Sequence, residues 1–141
     1  MRDVETIADF NTRLAHETES IQLEPARVRA GVEALVLDPA KGMYFVAEIS
    51  EEVVGQLLIT YEWSDWRNGN YWWIQSVFVD KAARGQGIFR SLYAHVVTEA
   101  KKAGNVCGIK LYVDAHNVTA KKSYLSLGMH ESNYEIFERM F

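Results

Sequence analysis

Apolar residues recur along this chain with two different periods, and the change of period divides it. Ile7, Phe10 and Leu14 fall at helical spacing and predict an amphipathic helix over residues 4–17. Pro25 suits the first turn of a second helix, to which Val28, Val32, Leu35 and Val36 give an apolar face. Asp38-Pro39 ends it, because the residue before a proline is steered away from helical angles. From Met43 the pattern becomes β-like. Met43–Ile49 and Val53–Trp63 are predicted strands joined by Ser50-Glu51-Glu52. The loop Trp63–Asn70 carries Asn68-Gly69 for a sharp reversal, and Tyr71–Asp80 returns as the third strand of a meander. A helix follows over Gly87–Ala103, with Ile88, Leu92, Val96 and Ala100 on one face and Gly104 as its stop. Ile109–Asp114 is a short strand, Val118–Leu127 a helix closed by Gly128, and Tyr134–Phe141 a final strand. This order predicts an α/β fold with a mixed sheet covered by helices on both faces.

Composition narrows the class. A chain of 141 residues, 48% hydrophobic and 24% charged, suits one domain over residues 1–141 with a full core. No apolar run approaches the roughly 20 residues of a membrane span, and Met1-Arg2-Asp3-Val4-Glu5 lacks the apolar stretch of a secretory signal. The expectation is a cytoplasmic protein with no membrane partner. A net charge of −4 speaks against nucleic acid, which demands a basic face. It suits a cationic substrate but is equally an ordinary surface. The lone Cys107 can form no internal disulfide and no metal cluster, and reads as a small core residue near a strand start. No metal is expected.

Two clusters carry candidate chemistry. The first is Val77-Phe78-Val79 followed by Arg84-Gly85-Gln86-Gly87-Ile88-Phe89-Arg90, a strand running through a glycine-rich turn into a helix. Glycines there let backbone N–H groups approach a phosphate, and the helix N-terminus adds partial positive charge. An ordinary glycine cap explains the same residues. The turn lacks the third glycine of a dinucleotide-binding fingerprint, since Arg90 occupies that place, and no Gly-Lys-Ser/Thr follows. The second cluster, Asn117 to Gly128, sets Asn117 as a helix cap and Ala120 and Tyr124 four apart on one helix face. A small residue beside a phenol leaves room for a ligand, although plain packing through Ala120, Tyr124 and Leu127 accounts for the pair as well.

Taken together, Arg-Gly-Gln-Gly at a helix start and a later Asn-x-x-Ala-x-x-x-Tyr-x-x-x-Gly resemble the GNAT N-acetyltransferase superfamily over residues 4–141. The resemblance implies an acetyl-CoA-dependent transferase with a mostly antiparallel central sheet in which two neighbouring strands splay. It places the Val77, Phe78 and Val79 backbone along the acetyl and pantetheine end. It places the pyrophosphate on the amides of Arg84, Gly85, Gln86, Gly87, Ile88 and Phe89, with Arg90 just beyond. Asn117 would contact the cofactor arm and Tyr124 would protonate the departing thiolate.

The chain departs from the family pattern in three places. Phe89 stands where Gly or Ala is usual, so its side chain must point away from the cofactor. Trp72-Trp73-Ile74-Gln75-Ser76 lacks the carboxylate that many members use as general base, which leaves Glu17, Glu19, Glu62, Asp65, Asp114 and His116 as candidates near the expected cleft. The first strand usual in the fold is absent or very short. Glu17 and Glu19 at the end of the first helix, with Trp63, Asp65 and Trp66, are the expected acceptor site, where carboxylates hold an ammonium and indole faces add cation–π attraction. A small-molecule amine is thus the expected partner. The aromatic stretch loosely resembles the polyamine and thialysine branch, which however carries carboxylates at the Gln75 and Ser76 positions. The same stretch suits a homodimer surface. Acetylation of a protein lysine or N-terminus, and an acetyl-CoA sensor without catalysis, are the competing readings.

Overall fold

Strand β2 forms the centre of the molecule, with its Gly55–Ile59 stretch buried on both faces. The computed structural model describes residues 2–141. In chain order the elements are α1 (Val4–Glu19), α2 (Pro25–Val36), β1 (Met43–Ile49), β2 (Glu52–Ser64), β3 (Gly69–Val79), a 3₁₀ turn at Lys81–Ala83, α3 (Ile88–Ala103), β4 (Val106–Leu111) and α4 (Val118–Ser126). The strands form one sheet in the order β1-β2-β3-β4. The first two pairings are antiparallel and β3–β4 is parallel, with α3 as the crossover that parallel strands require.

Helices cover both faces, as the periodicities predict. On one face Leu92, Val96 and Ala100 of α3 pack on Leu57, Ile59, Trp72 and Ile74. On the other, Val4, Ile7 and Ala8 of α1 and Val32 of α2 pack with Tyr44 and Val46 of β1. The helix stripe and the strand alternation thus meet in two cores.

One irregularity in β3 shapes everything beyond it. The strand carries an extra residue between the pairs Leu58↔Gln75 and Gln56↔Phe78, where Ser76 takes a left-handed φ of 50°. A bulge of one residue exchanges the faces of all that follows. Ile74 faces the α3 core and so does Val77, while Phe78 turns to the opposite side and stacks on Phe10 of α1, centroids 4.8 Å apart.

Three expectations are corrected. The fourth strand runs over Val106–Leu111 rather than Ile109–Asp114, because it pairs with Asn70–Ile74 of β3 and stops where the two strands part. Cys107 is exposed rather than a core residue, since β4 is an edge strand and this side chain falls outside the packing. Tyr134–Phe141 is not a strand: residues 129–141 form neither helix nor strand, because no edge of this chain's sheet pairs with them. Among the described residues no strand precedes α1, in keeping with a missing first strand. No helix among them is long and apolar enough to cross a membrane.

Candidate active site

β4 ends opposite Ile74, so the rest of β3 has an open edge. The Asp80 N–H donates to the Val54 carbonyl at 2.8 Å, which makes Gly55 and Val79 a non-hydrogen-bonded pair. The main-chain groups of Val79, and by alternation those of Val77, therefore face away from β2 into the gap between β3 and β4. Gly55 lets this region close tightly, since a Cβ there would stand 2.8 Å from Cγ2 of Ile88, the first residue of α3.

Beyond the gap, Asp80 Oδ1 caps the 3₁₀ turn by accepting from Ala82 N at 3.0 Å, and the chain then passes through Arg84-Gly85-Gln86-Gly87 into α3. Gly85 and Gly87 have φ of 78° and 77°, a region that side chains disfavour, yet a Cβ at either would meet nothing within 4 Å. Backbone conformation, not crowding, therefore favours glycine here. The N–H groups from Gly85 to Arg90 have no acceptor within the described residues. A helix start with unpaired donors and open space before them is an anion site in waiting. The concavity in front of it measures about 230 Å³ and is closed on the far side by Ser123, Ser126 and Leu127.

Charged groups brace this turn. Arg84 donates through Nε to the Val79 carbonyl at 2.9 Å and through its terminal nitrogen to Glu17 at 2.8 Å. Lys81 approaches the same carboxylate at 3.7 Å. The bond from Arg84 holds the Glu17 carboxyl below its usual range. Asp80 is held low as well, by the Ala82 N–H and then by Arg13 at 2.9 Å. Arg90 is exposed at the rim.

The second cluster forms the opposite wall. Asn117 caps α4, its Oδ1 accepting from Ala120 N at 3.0 Å. Tyr124 lies against Phe89, which also packs on Tyr93 with centroids 6.3 Å apart. The Phe89 side chain is thus spent on a wall between α3 and α4 while its amide stays with the turn. Burial pushes the Tyr124 phenol up, so it is protonated at neutral pH.

A cleft of about 370 Å³ opens between α1 and α2, floored by Tyr44 and Ser76. Ser76 lines this cleft and Val79 the other, about 10 Å apart along β3. Gln56, fully buried, donates to Asn11 Oδ1 at 2.7 Å, and Asn11 donates to the Tyr44 hydroxyl at 3.1 Å. Tyr44 also lines the cleft. Asn11, Tyr44 and Ser76 carry no motif, and only the bulge and the helix packing bring them together.

The expected acceptor residues separate. Glu19 lines the cleft, whereas Glu17 turns to Arg84. Trp63, Asp65 and Trp66 sit at the tip of the β2–β3 hairpin, roughly 20 Å along the strand from Ser76, and do not reach the cleft. Asp65 accepts from Trp66 N at 3.0 Å, and the Trp66 side chain is 85% exposed. The hairpin outruns the two helices, which cover only its base. Of the other base candidates, Glu62 binds Trp73 Nε1 and Lys110 Nζ, both at 3.2 Å. Asp114 Oδ1 accepts from His116 N at 2.7 Å. Gln75 donates to Thr60 Oγ1 at 2.6 Å.

Comparison with known proteins gives these features a context. The sequence model of the acetyltransferase (GNAT) family matches residues 5–129. The crystal structure of a possible acetyltransferase from Clostridium difficile 630 is 47% identical, with a TM-score of 0.94 over 100% of this chain and 93% of that one. A ribosomal-protein-alanine N-acetyltransferase from Brucella melitensis biovar Abortus 2308 shares the fold at 16% identity, with a TM-score of 0.79 over 99% of this chain and 93% of that one. So does a "predicted acetyltransferase with acetyl-CoA" from Clostridium acetobutylicum, at 16% identity and a TM-score of 0.79 over 99% and 91%. No protein with a curated description matches the chain.

Proposed function

The chain belongs to the acetyltransferase (GNAT) family, and on that footing we propose that it transfers the acetyl group of acetyl-CoA to a primary amine of a small molecule. The observation that carries this reading is the row of unpaired N–H groups from Gly85 to Arg90 facing the α4 wall that holds Tyr124. The pyrophosphate would lie on those amides. The pantetheine would pair with the main chain of Val77 and the N–H of Val79 beside Phe78, the Val79 carbonyl being held by Arg84, and Asn117 would approach its arm.

The neutral amine attacks the thioester carbonyl carbon, the C–S bond breaks, and the sulfur takes the Tyr124 proton as it leaves. A phenol raised by burial suits this role, because it arrives protonated. Backbone N–H groups at the open β3 edge would stabilise the oxyanion. Gln75 cannot take the ammonium proton, so we assign that proton to water in the α1–α2 cleft, with Glu19 at its margin. The cleft lies next to the β3 bulge and supplies the acceptor site.

Turnover of acetyl-CoA against a panel of amines tests the proposal. Thiol release that depends on an amine supports it, with a fall on Tyr124→Phe. Tight acetyl-CoA binding with no amine-dependent thiol release would favour a sensor, a reading to which the missing strand carboxylate lends some support. Acetylation of proteins but of no small amine would move the acceptor to a macromolecule.

A further inference from the structure

The α1–α2 cleft has a polar floor and apolar walls. Asn11, Tyr44 and Ser76 form the floor, while Leu14 and Ala15 of α1 and Val28 and Val32 of α2 line its sides. Leu23, in the turn between the two helices, is 36% exposed at the mouth. Asn11 and Glu19 both belong to α1, and the stretch between them runs about 12 Å along the helix.

Most polar side chains that line the cleft are already bonded within the protein. Asn11 accepts from Gln56 at 2.7 Å and donates to the Tyr44 hydroxyl at 3.1 Å, and Thr18 Oγ1 donates to the Leu14 carbonyl at 2.9 Å. Among the described residues that line it there is no lysine, arginine or histidine, and Glu19 is the one carboxylate. Glu17 is taken by Arg84 and Lys81.

Gly31 lies inside α2 and lines the same cleft. Its φ is not in the left-handed region, and nothing stands within 4 Å of where its Cβ would be. Neither backbone conformation nor crowding calls for glycine there, and inside a helix glycine is less stable than alanine. What its missing side chain leaves is room between Val28 and Val32.

Apolar contact outweighs charge in such a cleft. Glu19 is exposed, and an exposed carboxylate strengthens binding of a cation by at most about fivefold. Each methylene removed from water contributes up to about fourfold, so a body of three or four carbons already exceeds it. A second ammonium close to the first would sit among Leu14, Ala15 and Val28 without a counter-charge. A carboxylate beside the amine would find no cation in the lining. On the reading that this cleft receives the acceptor, we infer that the acceptor is a primary monoamine with an apolar alkyl or arylalkyl body, and neither a short polyamine nor an amino acid. Its nitrogen lies towards Ser76, and its body runs out between the helices to Leu23.

Thiol release from acetyl-CoA by the full chain tests this with the series propylamine to hexylamine, and with phenethylamine, putrescine and phenylalanine. From propylamine to hexylamine kcat/KM should rise about two- to fourfold with each methylene. Putrescine should fall about tenfold or more below pentylamine, and phenylalanine as far below phenethylamine. Gly31→Leu should flatten the series, because the new side chain takes the space of the outer methylenes and hexylamine then loses about tenfold more than propylamine. A flat series in the wild type, or a preference for putrescine or phenylalanine, overturns the apolar acceptor and leaves acetyl transfer standing. If no amine releases thiol, acetyl transfer to a small amine falls, and calorimetry then reads the cleft by itself. Hexylamine binding tighter than putrescine supports an apolar amine site, and equal or absent binding overturns it. If Gly31→Leu does not fold, the wild-type series decides.

Discussion

The ring of Phe89 meets that of Tyr124 edge to face, with centroids 5.9 Å apart and planes at 74°. One ring stands at the start of α3 and the other within α4, so this contact ties the phosphate-type turn to the proposed acid. Phe89→Ala should lower stability by about 2 kcal/mol, roughly half the cost of removing a fully buried ring. It should also cut kcat by about tenfold while CoA affinity changes little. Thermal unfolding and steady-state kinetics check both; an unchanged kcat would free Tyr124 from dependence on Phe89.

Tyr124→Phe should retain the fold and CoA affinity and slow a chemistry-limited reaction by roughly 10²–10⁴-fold. In the wild type, rate should climb with pH as the acceptor amine loses its proton and decline only above 10.0, the ordinary tyrosine value, because burial raises this phenol further. The alkaline decline should vanish in Tyr124→Phe. A wild-type rate in that variant would leave Tyr124 a packing residue.

Gly87 separates backbone cost from charge. With φ of 77° and open space around a Cβ, Gly87→Ala should cost about 1–2 kcal/mol of stability. Gly87→Glu adds a carboxylate where the pyrophosphate would lie and should weaken CoA binding by about 100-fold or more relative to Gly87→Ala. Calorimetry on the two folded variants decides, and equal affinities would remove the pyrophosphate from this turn.

Glu17 is bonded to Arg84, and the expectation is that it braces the turn rather than accepting a proton. Glu17→Gln should change kcat by less than about threefold, where loss of a general base costs roughly 10²-fold or more. Its folded carboxyl is depressed, so its contribution to stability is present above 4.5, the ordinary value, and fades as pH falls through the lower folded value. The stability gap between wild type and Glu17→Gln should accordingly be open at pH 7 and close in acid. Denaturant titrations across that range read it, and a gap that persists in acid would point to some other contact.

Gly31 lines the α1–α2 cleft, and nothing lies within 4 Å of where its Cβ would be. Gly31→Phe should fill the cleft and raise the acceptor KM by about tenfold or more, with CoA affinity preserved. If every productive amine keeps its KM, the acceptor enters elsewhere.

Periodicity alone determined most of the elements, because burying one stripe of a helix or one face of a strand leaves a pattern that survives in one dimension. The α3 stripe Ile88, Leu92, Val96 and Ala100 and the alternation in β1 are of this kind. The turn was legible as well, since a φ near 77°, as at Gly85 and Gly87, strongly favours glycine. Asn117 was legible as a cap because its side-chain oxygen serves the third residue on. Tertiary structure decided the rest. The Ser76 bulge leaves no signature in Gln75-Ser76-Val77, yet it settles which side of β3 faces each core. Whether Trp63, Asp65 and Trp66 reach the helices depends on hairpin length against helix position, which spacing does not encode. Tyr134–Phe141 has the sequence of a strand, but a strand exists only with a partner, and local sequence cannot say whether that partner lies in the same chain.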